Sequence, residues 1–100
     1  MKRTFVRYKT GPDKVQENER LIGKVFEELK TKGPDGVRYL ALRLGDGTFV
    51  HFAIVDAQDG ANPLVGLEAF GAFQSGIKGR CIEPPLQNDA VIIGNYRMLS

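Results

Sequence analysis

The sequence contains no tryptophan and only one cysteine and one histidine among its 100 residues. A single cysteine, Cys81, cannot form an internal disulfide, and no cysteine or histidine lies beside it to complete a zinc site. We therefore predict no metal site, and we interpret Cys81 as a small buried thiol rather than a reactive one.

Long apolar runs and clusters of basic residues are also missing. No run approaches the roughly 18 apolar residues of a membrane span, and residues 1–5 lack the apolar segment of a secretory signal. The net charge of +2 comes from 14 basic and 12 acidic residues that are mixed along the chain, so no basic stripe is available for phosphates. We expect one globular, cytoplasmic domain with no membrane and no nucleic-acid partner.

Two local patterns predict the first half of the chain. Residues 4–9 are rich in β-branched and aromatic side chains and precede a Gly-Pro turn, which favours a strand. Asp13 and Gln16 have the spacing of a capping box, and apolar residues then recur at helical spacing up to Gly33, so a helix is predicted over residues 14–32.

Residues 37–44 and 48–55 are predicted to form a hairpin around Gly45-Asp46-Gly47, with two registers open. A two-residue loop mixes polar and apolar side chains on both faces. A three-residue loop, with Gly47 in the left-handed conformation, pairs Leu42 with Val50 and separates the side chains cleanly. We adopt the second register. We place its more apolar face under the helices: Leu40, Leu42, Leu44, Val50, Phe52 and Ile54.

The second half of the chain is predicted to form one helix and one strand. A polar segment, residues 56–60, leads to Asn62, which has the position of an N-cap before Pro63. Apolar residues at helical spacing extend the predicted helix to about residue 80, and Pro84-Pro85 excludes its continuation. Residues 90–98 are then predicted to form the last strand.

This order of elements predicts an α+β fold of the ferredoxin-like βαββαβ type, with both helices on one face of a four-stranded antiparallel sheet. The other sheet face is too apolar to be left in water, so a second copy of the chain is expected to cover it. The predicted dimer interface consists of Val37, Tyr39, Phe49, His51 and Val55.

The chain resembles the antibiotic biosynthesis monooxygenase-like (ABM-like) dimeric α+β barrels, as a small stand-alone member. The resemblance covers almost the whole chain, and its most specific parts are NPLVGLEAFGAFQSGIKGRCIEPP and GNYR. It implies a homodimer whose sheets face each other, with a ligand pocket between the helices and the sheet of each subunit. Some of these proteins oxygenate aromatic polyketides without metal or flavin, and others open haem with an asparagine, a tryptophan and a histidine.

The chain departs from the haem-opening proteins because it has no tryptophan and no asparagine in its first strand. The resemblance therefore implies no cofactor. It implies a site for a small hydrophobic or aromatic ligand, for which we predict the lining residues Phe52, Phe70, Phe73 and Ile77. The candidate catalytic residues are Tyr8, His51, Asn95 and Tyr96. We interpret His51 first as a neutral interface side chain bonded to Tyr39 or to a backbone group across the barrel, since no carboxylate shares its predicted face.

Three functions stay open on the sequence alone. The first is an oxygenase without metal or flavin, and the second is a dimer that binds a ligand or has a purely structural role. The third is an RNA-recognition domain, because Phe49-Val50-His51-Phe52 matches the end of its aromatic strand motif. Gly45-Asp46-Gly47 does not match the start of that motif, so we rank this function last.

Overall fold

The computed structural model describes residues 1–56 and 62–99, so most of the polar segment at residues 56–60 lies outside the described residues. Single 3₁₀ turns precede the first two helices, at Pro12–Lys14 and Pro63–Gly66. The strands and helices follow in chain order: β1 Lys2–Thr10, α1 Val15–Lys32, β2 Val37–Arg43, β3 Thr48–Val55, α2 Glu68–Ser75, α3 Ile77–Arg80 and β4 Cys81–Asp89.

The strands form one antiparallel sheet in the order β2-β3-β1-β4, with the helices on one face. This arrangement confirms the predicted ferredoxin-like α+β fold. We call the face under the helices the inner face and the opposite face the outer face. Within the described residues, no helix is long and apolar enough to cross a membrane.

The hairpin between β2 and β3 has the predicted three-residue loop. Leu42 pairs with Val50, and Gly47 has a φ of 85°, which favours glycine because a Cβ atom would be strained there. The amide of Leu44 donates to the carbonyl of Thr48 over 2.8 Å and closes the loop. The register predicted from the separation of polar and apolar side chains is therefore confirmed.

Helix α1 ends as predicted but begins differently. Gly33 adopts the left-handed conformation, and its amide donates to the carbonyl of Leu29 over 2.8 Å. The predicted capping box is wrong, because Asp13 lies inside the 3₁₀ turn and the cap position falls on Lys14, with no side-chain cap bond. Pro12 starts that tight turn, which moves the helix start by one residue.

The predicted second helix is interrupted twice. Asn62 caps the first turn as expected, its side-chain oxygen accepting from the amide of Leu64 over 3.0 Å. Leu67 is extended, however, and α2 begins anew where the carboxylate of Glu28 accepts from the amides of Glu68 and Ala69. The chain leaves helical geometry again between α2 and α3.

The position predicted for the last strand is wrong, since β4 covers Cys81–Asp89 and residues 90–99 form no regular strand or helix. Pro84 and Pro85 were interpreted as a stop signal. They lie within the edge strand β4, at a point where its pairing with the central strand β1 is already interrupted, and proline is tolerated at such a break. The pairing of β4 with β1 is irregular between Leu86 and Glu83, on either side of these prolines.

The predicted assignment of the two sheet faces is also wrong. Five residues predicted to face a partner lie on the inner face: Val37, Tyr39, Phe49, His51 and Val55. Phe49 is 1% exposed and His51 is 5% exposed within a single chain, so neither side chain has surface left for a second copy. The more apolar face is the outer one, where Leu40, Leu42 and Leu44 are exposed in the single chain and Ile54 is buried. The alternation of polar and apolar residues gave the wrong assignment because the polar side chains of the inner face are hydrogen-bonded, some of them to side chains of the helices. Hydrogen-bonded polar groups can be buried at a small cost in free energy.

Candidate functional site

Strands β1, β2 and β3 place three polar rings beside one another on the inner face. Directly paired residues of antiparallel strands share a face, and alternate residues of one strand do so too. Tyr8 pairs with Phe49, two residues from His51, and Tyr39 pairs with Ala53, also two residues from His51. The strand register therefore brings Tyr8, His51 and Tyr39 together from three strands.

The helices contribute two more polar side chains to this place. Asn18 in α1 is 0% exposed, and Arg80 at the end of α3 is 6% exposed. Such side chains are rarely buried unless they are hydrogen-bonded. Arg80 donates to the carbonyl of Phe73 over 2.6 Å, and its guanidinium carbon lies 5.3 Å from the centre of the Phe73 ring.

The five side chains form one continuous series of hydrogen bonds, which we call the polar chain: Arg80, Asn18, Tyr8, His51 and Tyr39. Arg80 Nε donates to Asn18 Oδ1 over 3.0 Å, and Asn18 Nδ2 donates to the Tyr8 hydroxyl over 2.8 Å. The Tyr8 hydroxyl lies 2.7 Å from His51 Nε2. His51 Nδ1 lies 2.5 Å from the Tyr39 hydroxyl. Both ring nitrogens of the histidine are thus engaged.

Burial determines the charge state of these rings. It lowers the pKa of His51 from 6.5 to about 4, so the imidazole is neutral at physiological pH. Burial is also the main cause that raises the pKa of Tyr8 and of Tyr39 well above 10.0. The three rings are therefore neutral, and hydrogen bonds connect them to one another.

A cavity of about 480 Å³ lies between the inner face and the helix side, and an adjoining cavity of about 400 Å³ continues it along α2. We call the two together the helix–sheet cavity. Six residues line both parts: Val6, Tyr39, His51, Phe70, Gln74 and Gln87. Volumes of this size accommodate small organic ligands, and aromatic walls with a few polar groups are typical of such sites.

Aromatic rings pack around the polar chain. Phe73 lies 5.3 Å from His51 and 6.3 Å from Phe70, between ring centres. On the other side, Tyr39 stacks on Phe26 at 5.1 Å. These contacts hold the imidazole and the Tyr39 ring in fixed orientations at the cavity wall.

The predicted site residues divide between this cavity and other places. Tyr8, His51, Phe70, Phe73 and Ile77 line the helix–sheet cavity. Phe52 does not, because it pairs with Leu40 and lies on the outer face.

Asn95 and Tyr96 lie in the carboxy-terminal segment, away from the polar chain. The Asn95 side chain bonds the backbone of Met98 and Leu99, and Tyr96 is 79% exposed. The structure therefore does not bring these two candidate catalytic residues to the cavity.

Asn18 and Arg80 are site residues that the sequence interpretation missed. Asn18 could have been found from its spacing. It lies three residues after Val15 and four before Ile22, on the apolar stripe of α1. An asparagine on such a stripe indicates a buried hydrogen-bonding role. Arg80 is not among the candidate site residues predicted from the sequence, and no local pattern relates it to Asn18, 62 residues away.

Among residues 1–56 and 62–99, no three side chains of histidine, cysteine, aspartate or glutamate lie close enough together to hold a metal ion. The polar groups that line the cavity are the hydroxyl, imidazole and amide groups already described, together with Lys2.

Comparison with solved structures places this geometry among known folds. A protein of Caulobacter crescentus assigned to the antibiotic biosynthesis monooxygenases superimposes with a TM-score of 0.71 at 20% identity, over 90% of this chain and 89% of that one. A protein of Nitrosomonas europaea with the same assignment superimposes with a TM-score of 0.75 at 15% identity, over 94% of this chain and 100% of that one. A variant of SnoaB, a cofactor-independent oxygenase from Streptomyces nogalater, superimposes with a TM-score of 0.66 at 15% identity, over 96% of this chain and 97% of that one.

The chain has the ABM-like fold. No family model and no curated protein matches the sequence, so the likeness is one of structure alone. In this fold the helix–sheet cavity lies between the helices and the sheet, and the polar chain forms part of its wall.

Proposed function

We propose that this chain binds a small aromatic ligand in the helix–sheet cavity and oxygenates it without metal or flavin. The observation that carries the proposal is the placement of the polar chain: Tyr39 and His51 reach the wall of a cavity whose apolar lining includes Phe70, Phe73 and Ile77. A planar phenol fits such a site, because the rings can pack against it while one hydroxyl group meets its oxygen.

Oxygenation without a cofactor requires a substrate that supplies all the electrons itself. A polycyclic phenol gives its hydroxyl proton to water, and its electron-rich ring carbon then reacts with dioxygen to form a carbon–oxygen bond. The resulting peroxide takes a proton back and becomes a hydroperoxide. Loss of water breaks the oxygen–oxygen bond and leaves a carbonyl group. One oxygen atom enters the product, and the other leaves as water with two hydrogens from the substrate.

The Tyr39 hydroxyl is suited to stabilise the anion formed in the first step. A hydroxyl group held by packing and by His51 can donate to a phenolate oxygen without reorganising, which is the usual source of such stabilisation. The oxygenase activity named for SnoaB belongs to a protein of 15% identity and supports the proposal only through the shared fold.

The second candidate is a dimer that binds a ligand without turnover. Anaerobic titration with a polycyclic phenol, followed by oxygen uptake in the presence of a chelator and without flavin, separates the two. Uptake of one dioxygen per carbonyl product supports the oxygenase. Saturable binding without uptake favours the second candidate, and absence of both contradicts the proposal.

The RNA-recognition function is disfavoured by a specific observation. Base stacking on the third strand needs exposed aromatic rings. Phe49, the first of the two aromatic residues in the match, is buried under the helices.

We also propose that the protein is a homodimer, with the outer face as its interface. Phe5, Leu40, Leu42 and Leu44 are exposed on this face in the single chain and form a surface too apolar to remain in water. A sizing measurement is expected to give about 22 kDa, twice the chain mass of 11.1 kDa. A monomer at micromolar concentration would contradict this assembly. The cytoplasmic location expected from the sequence stays a prediction.

A further inference from the structure

We infer that Arg80, a residue outside the cavity wall, sets the tautomer of His51 through Asn18 and Tyr8, and thereby makes the Tyr39 hydroxyl a hydrogen-bond donor toward the cavity. Arg80 and Asn18 are then positioning residues. The site they prepare accepts ligands that present an acceptor oxygen, such as a phenolate or a carbonyl. The part of this inference that concerns the ligand rests on the proposed function, whereas the tautomer does not.

The first step is the orientation of the Asn18 amide. A guanidinium group has donors and no acceptor, so the atom of Asn18 that lies 3.0 Å from Arg80 Nε must be the carbonyl oxygen. The amide nitrogen therefore faces Tyr8, to which it can only donate.

The second step is the direction of the Tyr8 proton. The Tyr8 hydroxyl accepts from Asn18 over 2.8 Å, and its other hydrogen-bond partner in the described part of the chain is His51 Nε2 at 2.7 Å. If Nε2 carried a hydrogen, two donors would meet at the Tyr8 oxygen, and the buried Tyr8 proton would have no acceptor. Polar hydrogens are rarely buried in that way, so Tyr8 donates to a bare Nε2.

The third step is the position of the His51 hydrogen, which determines where the Tyr39 proton points. A neutral imidazole carries one hydrogen, which must then lie on Nδ1, and Nδ1 donates to the Tyr39 oxygen. Histidine in water favours the other tautomer, so this assignment is specific to the folded protein. The Tyr39 proton must then point away from His51. Within the described residues, Tyr39 lines the helix–sheet cavity, so its proton is available to a ligand there.

Nitrogen-15 magnetic resonance of the imidazole measures the tautomer directly, and the spectrum is unambiguous because His51 is the only histidine. Bare and hydrogen-bearing ring nitrogens have well-separated shifts. For the unmodified chain we expect hydrogen on Nδ1 and a bare Nε2. The reverse assignment overturns the inference, whatever the enzymatic activity turns out to be.

The substitution Asn18→Asp tests the role of Arg80 and Asn18 with almost no change in shape. A carboxylate accepts from Arg80 and also from Tyr8, so the Tyr8 proton turns toward residue 18. His51 must then donate from Nε2, and Tyr39 donates to Nδ1. We expect the tautomer to reverse in this variant. An unchanged tautomer in a folded variant overturns the inference.

Two control variants isolate the effect of the substitution at Asn18. Asn88→Asp makes the same chemical change on exposed β4 and is expected to keep the tautomer of the unmodified chain. Arg80→Lys keeps a donor at the end of the polar chain and is expected to keep that tautomer too.

If Asn18→Asp does not fold, Arg80→Met takes its place. Without the donor at residue 80, the Asn18 amide can rotate, and a mixture of the two His51 tautomers is expected. A single unchanged tautomer in Arg80→Met contradicts the inference.

Binding of 2-acetylnaphthalene and 2-isopropylnaphthalene tests the ligand class separately from turnover. The two probes have similar shapes, but only the first has an oxygen, and this carbonyl oxygen can only accept a hydrogen bond. The folded, unmodified chain should bind 2-acetylnaphthalene at least about tenfold more tightly, as expected for one added hydrogen bond. In Asn18→Asp that ratio should fall toward one, because Tyr39 then donates to His51 instead. Equal binding of the two probes by the unmodified chain contradicts the assignment of ligand class. Loss of oxygen uptake alone would contradict only the oxygenase proposal.

Discussion

Tyr8 and His51 are joined by a hydrogen bond of 2.7 Å between the phenol oxygen and Nε2, although 43 residues separate them in the sequence. The bond crosses from β1 to β3 on the inner face, where Tyr8 is stacked on Phe49 with ring centres 5.5 Å apart. Because both nitrogens of His51 are bonded, its ring connects the buried end of the polar chain with Tyr39 at the cavity. We therefore interpret His51 as a neutral connector rather than as a free general base.

The buried neutral imidazole predicts a pH dependence of folding. The pKa of His51 is lowered from 6.5 to about 4 by burial, so the unfolded chain takes up a proton at a higher pH than the folded chain does. The free energy of unfolding is therefore at its full value above pH 6.5 and falls as the pH drops toward 4. The total loss is roughly 3 kcal/mol, at about 1.4 kcal/mol per pH unit. Urea unfolding at fixed protein concentration measures it.

The variant His51→Gln serves as the control for this dependence. It is less stable at neutral pH, but its free energy of unfolding should be nearly constant from pH 6.5 to about 5. Glu28 and Asp46 have lowered pKa values and contribute mainly below their ordinary values of 4.5 and 3.8. An unmodified chain that is equally stable at pH 7 and pH 5 would show that His51 is not buried as described.

Substitution of Tyr39 tests the group placed at the cavity. Tyr39→Phe keeps the stacking on Phe26 and removes the hydroxyl. We expect the rate of oxygen uptake with a polycyclic phenol to fall by about 10² to 10³, the usual cost of losing one donor to a developing anion. Tyr96→Phe is the matched control, since Tyr96 is exposed and outside the cavity wall. Equal rates for Tyr39→Phe and the unmodified chain would remove Tyr39 from the mechanism.

The outer face predicts how the dimer can be broken. Leu42 is 48% exposed there, and Leu42→Glu places a charge in the middle of the proposed interface. We expect the dissociation constant to rise by about 10² or more, with elution near the mass of one chain. Val65→Glu introduces the same charge at an exposed apolar position beside the cavity and should leave the dimer intact. An intact dimer in Leu42→Glu would move the interface elsewhere.

A carboxylate on α1 determines where α2 begins. Glu28 accepts from the amide of Ala69 over 2.8 Å and pairs with Lys32 over 2.7 Å, and these contacts lower its pKa. Glu28→Gln should lower the midpoint of urea unfolding at neutral pH, because an anion at a helix start is lost. The neighbouring Glu27→Gln should have little effect. The difference between the two variants should shrink as the pH falls below 4.5, where the carboxylate of the unfolded chain becomes protonated.

Patterns that act over short distances predicted the architecture well. The loop at Gly47 and the pairing of Leu42 with Val50 follow from alternation within two adjacent strands, and both are confirmed. The end of α1 at Gly33 follows from a local backbone requirement. Each of these features depends on residues that are close in sequence, so one sequence contains the information needed to predict them.

The site could be predicted only in part, because it depends on contacts between distant residues. Tyr8 and His51 were candidates from the sequence, but the interpretation placed His51 on the wrong face. Its partners come from strands β1 and β2, and the residues that satisfy Tyr8 come from α1 and α3. A buried polar side chain is acceptable only where such partners exist, and hydrophobicity alone does not reveal them.

Pro84 and Pro85 interrupt the backbone donors of β4, which forms one edge of the sheet. An edge that lacks these amide hydrogens is a poor template for a further strand. Growth of the sheet into an aggregate is therefore hindered on this side, even though the outer face beside it is strongly apolar. The two prolines thus act against open-ended fibre formation at this edge of the sheet.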